Sequence, residues 1–515
     1  MIERTNLIEH ISRNTWGLGP KNARLIYKGA IEPGILYGVQ VWGEALEKNY
    51  NKKKLTTIQR KAAIRICRAY RTSPTDALLV MAKLKPIHLA AKDIIWERSL
   101  IKGKNKFKTE EQITTEIKKG QLPDNKQLIK TIIENDTEDI DKTTIIANPA
   151  EKETYKIKLN YKEATDKRNI INIYTDGSRT STGVGSGIII KGKNGNTMYQ
   201  GSFKIADYCT TVQAETFAIY KALDHIYKNK NHYRGELNIH TDSQTALSIL
   251  KTKNRKTKLT NELIQISEKI QRIRNITFSW IPGHQGHKGN EMADELAKRA
   301  TRTDINRIYT RIPIKEIKKQ IKNITEKIWQ QEWTTSTTGR NCFKYFPNIK
   351  DRLQNKVFNL SFGITQCITN HGNFKAYLHR FKKIDNPYCD IDTTKEDNAH
   401  HYLMECTKFN NQRETFIEKC LRAGHNWPPR DTDLVTDKNL FKALEKYIND
   451  TKVLIEINHK NKHQKDDRQN SDNKEHMTDN SEEEEDIIRR EDDESDTGIQ
   501  TTTGEERGVE SETSA

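Results

Sequence analysis

The sequence predicts an α/β fold for residues 169–302, with five strands and flanking helices. Three observations favour this fold. Short apolar runs rich in β-branched residues are bounded by Gly, Asn and Ser, as strands commonly are. Stretches with a helical spacing of apolar residues lie between and after these runs. The strands first follow one another directly and then alternate with helices, which is typical of a sheet with helices packed on it.

The first three predicted strands form a meander. Residues 172–176 are expected to be a strand that ends in a Gly-Ser turn, followed by the glycine-rich segment 183–187. The next two strands are residues 188–190 and 198–203, and the turn 193–196 (Lys-Asn-Gly-Asn) joins them.

Helices and two more strands complete this part of the chain. Residues 211–228 have helical periodicity, with Ala and Leu or Ile positions available for a buried side. Residues 237–242 form a strand that ends in a carboxylate, residues 276–282 form the last strand, and residues 290–299 the last helix.

Four carboxylates and one histidine stand at the ends of these elements: Asp176, Glu215, Asp242, Asp294 and His284. Strand ends and helix starts converge on one edge of an α/β sheet, where ligands bind. Acids gathered there repel one another unless cations neutralise them. Oxygen ligands suit Mg²⁺ or Mn²⁺ rather than zinc, so we expect two such ions per site acting on a phosphodiester. The histidine would move a proton or assist product release.

The motifs YTDGS, QAE, TDS and WIPGHQGHKGNEMADELA resemble those of a type 1 ribonuclease H domain, in the same order over about 130 residues. This resemblance implies a mixed five-stranded sheet, the four acids as metal ligands and His284 as the mobile catalytic histidine. It also implies cleavage of the RNA strand of an RNA–DNA hybrid, recognised through 2′-hydroxyls and phosphates. Four nearby polar residues are expected to contact the nucleic-acid backbone: Ser178, Gln213, Ser243 and Asn290.

Other interpretations of these residues stay open at this point. A single acid at a strand end is usually a helix N-cap, although capping does not explain four of them. His287 is a second candidate in the histidine loop. The chain would also fit a retroelement remnant that binds nucleic acid without cutting it. A third reading is integrase- or resolvase-type chemistry on duplex DNA, which the histidine loop and the acid spacing disfavour.

Composition points to an intracellular nucleic-acid-binding protein of several units. The chain has 515 residues, 34% hydrophobic and 30% charged, and seven scattered cysteines that make no disulfide framework. Neither a signal peptide nor an apolar membrane span is found in the sequence, so we expect a reducing compartment, nucleus or cytoplasm. The net charge is +17. Residues 461–515 contain 19 acids and 7 bases (−12), which leaves +17 + 12 = +29 for the rest.

Residues 1–102 are predicted to be a helical module with a cationic face, in which 55–70 is a basic amphipathic helix. Its sequence IEPGILYGVQVWGEAL and the following basic helix resemble the thumb segment of reverse transcriptases from jockey-type non-LTR retrotransposons. This implies the carboxy-terminal part of a retroelement polyprotein. No palm and no Tyr-x-Asp-Asp pair occur, so we expect no polymerase activity and a separate or upstream polymerase partner. Residues 103–168 read as a polar linker.

Residues 303–450 are predicted to be helical. There Cys389, His401 and Cys406 resemble the zinc-knuckle-like motif of retroelement carboxy-terminal regions, but Ile391 replaces the second cysteine. Zn²⁺ would need a fourth ligand from Asp390, Asp392 or His400, and a decayed knuckle held by helix packing is the favoured alternative. Residues 451–515 are predicted to be a disordered acidic tail.

Overall fold

The computed structural model describes residues 11–12, 16–102, 111, 115, 136–138, 156–158, 170–283, 285–302 and 306–454. His284 and the predicted acidic tail after residue 454 lie outside them. The helices are α1 (Pro20–Ile26), α2 (Glu32–Ile35), α3 (Val39–Trp42), α4 (Asn49–Cys67), α5 (Thr75–Ala82), α6 (Ile87–Lys102), α7 (Thr211–Lys228), α8 (Gln244–Lys251), α9 (Lys258–Gln271), α10 (Lys288–Arg302), α11 (Ile314–Thr335), α12 (Arg340–Tyr345), α13 (Ile349–Gln354), α14 (Phe362–Thr369), α15 (Lys375–Arg380), α16 (Asn410–Arg422), α17 (Asp431–Thr436) and α18 (Lys438–Thr451). The strands are β1 (Lys156–Lys158), β2 (Ile170–Thr180), β3 (Gly183–Lys191), β4 (Thr197–Ile205), β5 (Glu236–Thr241) and β6 (Ile276–Trp280).

Two compact units make up the chain. Unit 1 contains residues 1–37, 49–87 and 332–515, and unit 2 contains residues 38–48 and 88–331, each taken over its described positions. The predicted α/β part therefore lies wholly in unit 2.

A mixed sheet in the order β1-β6-β5-β2-β3-β4 is the centre of unit 2. Strands β2, β3 and β4 are antiparallel neighbours, whereas β2, β5, β6 and β1 pair in parallel. The five predicted strands are β2 to β6, so the α/β fold with a mixed sheet is confirmed. The structure adds β1, which lies in the segment 103–168 that the sequence analysis read as a linker.

Helices cover both faces of this sheet. On one face, Ile171 and Ile173 of β2 pack with apolar residues of α7, among them Ala218 and Leu223. On the other face, Ile189 of β3 packs against α10. Alternate residues of each strand point to opposite faces, so β2 and β3 contribute to both layers. Asp176, a residue of β2, is therefore held on a rigid support.

The glycines after Asp176 lie within strands, where the sequence analysis expected a turn and a glycine-rich segment. Asp176 pairs with Gly187 in the β2–β3 register, and the pairing continues to Thr180 and Gly183. The reason is the close approach of α10 to β3. A Cβ on Gly187 would stand 2.0 Å from the carbonyl oxygen of Ala293. Only glycine lets the helix pack this tightly on the strand.

Two short segments extend the sheet domain beyond β4 in unit 2. The Ile308 N–H donates to the Lys204 carbonyl at 3.0 Å, and the Ala206 N–H donates to the Tyr309 carbonyl at 2.9 Å. Residues 136–138 then pair with Ile312, whose N–H donates to Asp136 and whose carbonyl accepts from Glu138. Segments from before and after the domain therefore join at one edge of it.

Unit 1 is helical and combines distant parts of the sequence. The Thr365 hydroxyl donates to the Cys67 carbonyl at 2.6 Å, and the Lys83 amine donates to the Leu353 carbonyl at 3.1 Å. Apolar residues of α4, α5 and α14 are buried. Residues 49–87 and 332–454 are thus parts of one folded body.

All seven cysteines of the chain are buried free thiols, in line with the scattered spacing seen in the sequence. No helix in the described part of the chain is both long enough and apolar enough to cross a membrane.

Candidate active site

Three of the four predicted acids meet at the end of the parallel strands. Asp176 lies in β2, Asp242 follows β5, and Glu215 lies one turn into α7. A carboxylate oxygen from each lies within 4.8 Å of the others. Since β2 and β5 are parallel neighbours, their ends bring Asp176 and Asp242 to the same edge of the sheet.

A glycine beside Glu215 and a tryptophan side chain bonded to the backbone of Asp242 help to position these two acids. A Cβ on Gly177 would stand 2.4 Å from the Glu215 backbone nitrogen, so glycine permits α7 to bring Glu215 against β2. The Trp280 indole N–H donates to the Asp242 carbonyl at 3.1 Å. These contacts fix the carboxylates through the backbone.

Asp294, the fourth acid, lies nearly two turns into α10 and is not part of the 4.8 Å group. Its Oδ2 accepts a hydrogen bond from Lys298 Nζ at 2.6 Å, an i,i+4 ion pair on the same helix. Its charge nevertheless contributes to raising the pKa of Asp176. Asp294 is therefore close enough to act on the cluster electrostatically while its carboxylate is directed to Lys298.

Burial and mutual repulsion shift the acids toward their neutral forms. Burial, followed by the charges of Asp242, Asp294 and Glu215, raises the pKa of Asp176 to about 8. Burial also raises the pKa of Glu215 to about 7, with a further contribution from Asp242, while a hydrogen bond from Ser243 opposes the shift. The Oε2 atom of Glu215 is buried and has no hydrogen-bond partner among the described residues. A cluster of oxygen donors that repel one another fits a hard divalent cation.

The described residues include only one of the two loop histidines. His284 lies outside them, so its predicted role stays a prediction. His287 is half-buried. Burial first, and then the charge of His287, lowers the pKa of His240 to about 3. The charge of His287 therefore acts on His240, the residue of β5 that precedes Asp242 by two positions.

The predicted substrate-contacting residues have defined local partners. Thr210 and Gln213 form a capping box at the start of α7. Ser243 caps α8 by accepting from the Ala246 N–H, and its side chain also hydrogen-bonds Glu215. Ser178 is half-buried in β2. Asn290 is buried, and its Oδ1 has no partner among the described residues.

Gly177, Trp280 and Lys298 are the neighbours of the acids that the sequence analysis missed. Lys298 was detectable, because a lysine four residues after Asp294 on a predicted helix is placed for an ion pair. The other two were not, because their contacts depend on which elements pack together.

A second cluster lies in unit 1. Cys389, His401 and Cys406 each offer a ligand atom within 4.8 Å of the others, and the two sulfur atoms are 3.7 Å apart. The His401 Nε2 atom is buried without a hydrogen-bond partner among the described residues, while its Nδ1 lies 3.4 Å from Glu405. Burial opposes ionisation of Cys389. Hydrogen bonds from the backbone after it, and then from His401 and Cys406, nevertheless keep the pKa of this thiol below its ordinary value.

None of the three predicted fourth ligands belongs to this second cluster. Asp390 forms an ion pair with Lys375, and the Asp392 carboxylate accepts from Thr394. His400 Nε2 lies 3.6 Å from Glu405. The cluster therefore consists of three protein ligands.

Comparison with known proteins matches residues 168–302 to the RNase H family model. A ribonuclease H of Ruthia magnifica subsp. Calyptogena magnifica is 32% identical over 146 residues, which cover 26% of this chain and 95% of that protein. The matched family segment includes all four acids and the histidine loop.

Insect retrotransposon proteins also match. A putative 115 kDa protein of the type-1 retrotransposable element R1DM of Drosophila melanogaster is 31% identical over 96 residues, 19% of this chain and 9% of that protein. A retrovirus-related Pol polyprotein from a type-1 retrotransposable element R1 of Nasonia vitripennis is 26% identical over 135 residues, 26% of this chain. The chain spans 34% of the length of that polyprotein. The resemblance to non-LTR retrotransposon proteins is confirmed by these matches.

Proposed function

This chain belongs to the ribonuclease H family, and we propose on that premise that residues 168–302 form a divalent-metal-dependent nuclease that cleaves the RNA strand of RNA–DNA hybrids. The observation that carries the proposal is the cluster of Asp176, Glu215 and Asp242. The three carboxylates lie within 4.8 Å of one another, Asp176 buried and the other two half-buried, and the pKa values of Asp176 and Glu215 are raised. Such a cluster is costly to fold unless it binds cations.

The metal ligands in this proposal are Asp176, Glu215, Asp242 and Asp294, and the ions are Mg²⁺ or Mn²⁺. When bound, two such ions supply an activated water and stabilise the leaving oxygen of the phosphodiester. Ser243 orients Glu215 by a hydrogen bond, and Trp280 holds the backbone at Asp242. Lys298 pairs with Asp294 and gives that carboxylate a second binding partner. His284 is proposed to move a proton at the site.

A nucleic-acid substrate also agrees with the charge of the chain. Residues 1–460 carry a net charge of +29, obtained from +17 for the chain and −12 for the rest. Such a charge attracts phosphates and steers them toward a site that is itself acidic. Ser178, Gln213, Ser243 and Asn290 are proposed to touch the nucleic-acid backbone near the acids.

The test is cleavage of an RNA–DNA hybrid labelled on the RNA, with the full chain and Mg²⁺. We expect products with 3′-hydroxyl and 5′-phosphate ends. Asp176→Asn should lower the rate by on the order of 10³-fold. Asp207→Asn is the matched control, since Asp207 is a half-exposed aspartate of the same domain paired with Arg307; it should retain the native rate.

The same assay separates the alternatives. Hybrid binding without cleavage by the native chain would support a silent nucleic-acid-binding remnant. Cleavage of duplex DNA in preference to the hybrid would support integrase- or resolvase-type chemistry instead.

A second proposal concerns unit 1: we propose that Cys389, His401 and Cys406 bind Zn²⁺. Thiolates and an imidazole are the ligands that zinc prefers, and the three side chains already converge. His401 would ligate through Nε2, because its Nδ1 faces Glu405, a pairing of histidine and carboxylate that is usual at zinc sites. A water molecule would take the fourth position.

Metal content tests this second proposal. The purified chain should contain one equivalent of zinc, measured by inductively coupled plasma mass spectrometry. Substitution of Co²⁺ for zinc should give the absorption bands of a tetrahedral thiolate site. Cys406→Ser should lose both. Cys420→Ser removes another buried cysteine of unit 1 and should keep both. Equal metal contents for the two variants would refute the zinc site.

A further inference from the structure

Four aromatic rings form a row on unit 1, and the proposed nuclease does not use them. Ring centroids are 5.6 Å apart for Phe362 and Tyr70, 5.7 Å for Tyr70 and Tyr377, and 5.0 Å for Tyr377 and Phe381. All four side chains are half-buried. We call these residues the aromatic row. Half-buried rings retain area that a flat ligand reaches, unlike the rings of a closed core.

The aromatic row joins two segments that are about 300 residues apart in sequence, and buried contacts hold them together. The Thr72 hydroxyl lies 2.6 Å from the Tyr377 hydroxyl and 3.2 Å from His371 Nδ1. Thr365 donates to the carbonyl of Cys67 at the end of α4. The row is therefore built into the fold and does not depend on a flexible loop.

Cationic residues adjoin the row in the sequence, and one of them lies against a ring. Arg71 directly follows Tyr70, and the Arg380 guanidinium lies 5.6 Å from the Phe381 ring centroid. Lys382 and Lys383 follow Phe381, and all four cations are exposed. One exposed acid, Asp385, lies close by in sequence, so these five side chains carry a net charge of +4 − 1 = +3.

The pKa of the buried His371 is also affected by nearby cations. Burial, and then the charges of Arg380 and Arg60, lower its pKa to about 4. Arg60 also donates to the Ser73 carbonyl at 2.7 Å and thereby holds the turn that carries Arg71. Cations from α4 and from α15 thus act on one place.

We propose that the aromatic row and its cations bind single-stranded nucleic acid, separately from the nuclease site. Successive bases of a single strand stack on aromatic side chains while Lys and Arg pair with the phosphates between them. Unstacked bases are needed for this, so a duplex, whose bases are already stacked, fits the row poorly. The site is assembled from residues before and after the ribonuclease H segment, and its ligand differs from the hybrid substrate.

The experiment measures binding of a labelled single-stranded oligouridylate by fluorescence anisotropy at several KCl concentrations. The protein is the full chain carrying Asp176→Asn. One variant adds Arg380→Gln, Lys382→Gln and Lys383→Gln at the row. Its matched control adds Lys438→Gln, Lys442→Gln and Lys446→Gln, three exposed lysines of α18 in the same unit. A further pair compares Phe381→Leu with Tyr388→Leu, since Tyr388 is an exposed aromatic residue outside the row.

The row triple variant should bind about 10-fold more weakly, and the slope of log K against log salt should fall by about 2, since each phosphate contact to a single strand contributes about 0.7. The α18 triple variant should keep the native slope. Phe381→Leu should weaken binding about 10-fold without changing the slope, because stacking releases no counterion. Tyr388→Leu should have no effect.

Two results would overturn the proposal. One is equal loss of affinity for the two triple variants, which would mean that only overall charge matters. The other is unchanged affinity for a Phe381→Leu protein with native circular dichroism. Hybrid cleavage is measured on a different site and with a different substrate, so failure here leaves the proposed nuclease unaffected.

Discussion

At the scale of single residues, the raised pKa values of the acids connect the site to stability. Asp176 keeps its proton in the folded chain up to about pH 8, whereas its ordinary pKa is 3.8. Glu215 behaves in the same way up to about pH 7, from an ordinary value of 4.5. Between these values the folded state binds more protons than the unfolded state. The free energy of unfolding therefore falls as the pH rises through this window.

We predict that the free energy of unfolding of the metal-free protein falls between about pH 5 and about pH 8. Asp176 and Glu215 together should account for at least about 1 kcal/mol of this fall. Asp176→Asn removes the penalty and should raise the melting temperature at the upper end of this range, although it should lower the cleavage rate. Mg²⁺ should raise the melting temperature of the native chain there and act much less on the variant. Calorimetry with and without a chelator measures both effects. A variant less stable than the native chain at the higher pH would contradict the prediction.

The sequence predicted that the acids would converge, and three of them do, but it did not predict all of their neighbours. Asp176 lies just beyond the parallel pairing of β2 with β5, Asp242 follows β5, and Glu215 lies one turn into α7. Their order along these elements was enough to group them from the sequence. Gln213 is a residue whose structural role was not predicted. The spacing of Thr210 and Gln213 is that of a capping box, so the helix start could have been derived from it. From the sequence, Gln213 was expected only to contact the substrate.

At the scale of elements, the packing of α10 on β3 determines where Asp294 lies. Gly187→Ala would place a methyl group 2.0 Å from the Ala293 carbonyl oxygen, one residue before Asp294. The helix must then move away from the strand. We predict a loss of about 1–3 kcal/mol in stability and a fall in hybrid cleavage larger than the fraction unfolded explains.

Gly192→Ala is the matched control for this helix displacement. The atoms nearest to the new methyl group there would be side-chain atoms of Asn196 and Met198, which are able to turn away. Thermal denaturation and the hybrid assay should show near-native values. If Gly187→Ala retained native activity, the acid cluster would not depend on close packing of α10.

The edge of the sheet domain gives a second prediction at this scale. Glu138 is buried, its Oε1 accepts from the Leu259 N–H at 2.8 Å, and the Tyr309 hydroxyl donates to its Oε2. Tyr309→Phe leaves a buried carboxylate oxygen without that donor, and we expect it to cost about 1–3 kcal/mol. Tyr208→Phe, which removes a hydroxyl bonded to a backbone carbonyl at the same edge, serves as the comparison and should cost less. Chemical denaturation measures both; equal costs would mean that the carboxylate does not depend on Tyr309.

Sequence reasoning did not find this edge, for a physical reason. Glu138 lies in a polar segment with little apolar periodicity, and its partner Tyr309 is 171 residues away. Neither segment forms a regular strand. Their pairing depends on the exposed edge that β4 presents, which becomes visible only when the strand order is known.

At the scale of the whole molecule, the two units differ in how much the sequence reveals of them. Unit 2 is built around elements in chain order, and motif spacing predicted its sheet. Unit 1 joins residues 49–87 to residues 332–454 through contacts such as Thr365 with Cys67. Helical periodicity predicted several of its helices, but amphipathic helices do not identify their partners. The aromatic row combines residues from both of these segments, so it could not be predicted from any single stretch of the sequence.

The last prediction concerns the uneven charge of the chain. Residues 461–515 carry −12 against +29 for the rest. Their acids lower the attraction of the protein for phosphates over distances within the Debye length. Deleting residues 461–515 should raise the association rate with an RNA–DNA hybrid by about 10-fold at low salt, and the difference should vanish at high salt. A second variant replaces the acids in these residues by Asn and Gln at unchanged length. Stopped-flow fluorescence should show the same increase for both variants, because charge and not length is removed in the second; a neutralised variant as slow as the native chain would exclude an electrostatic effect of these residues.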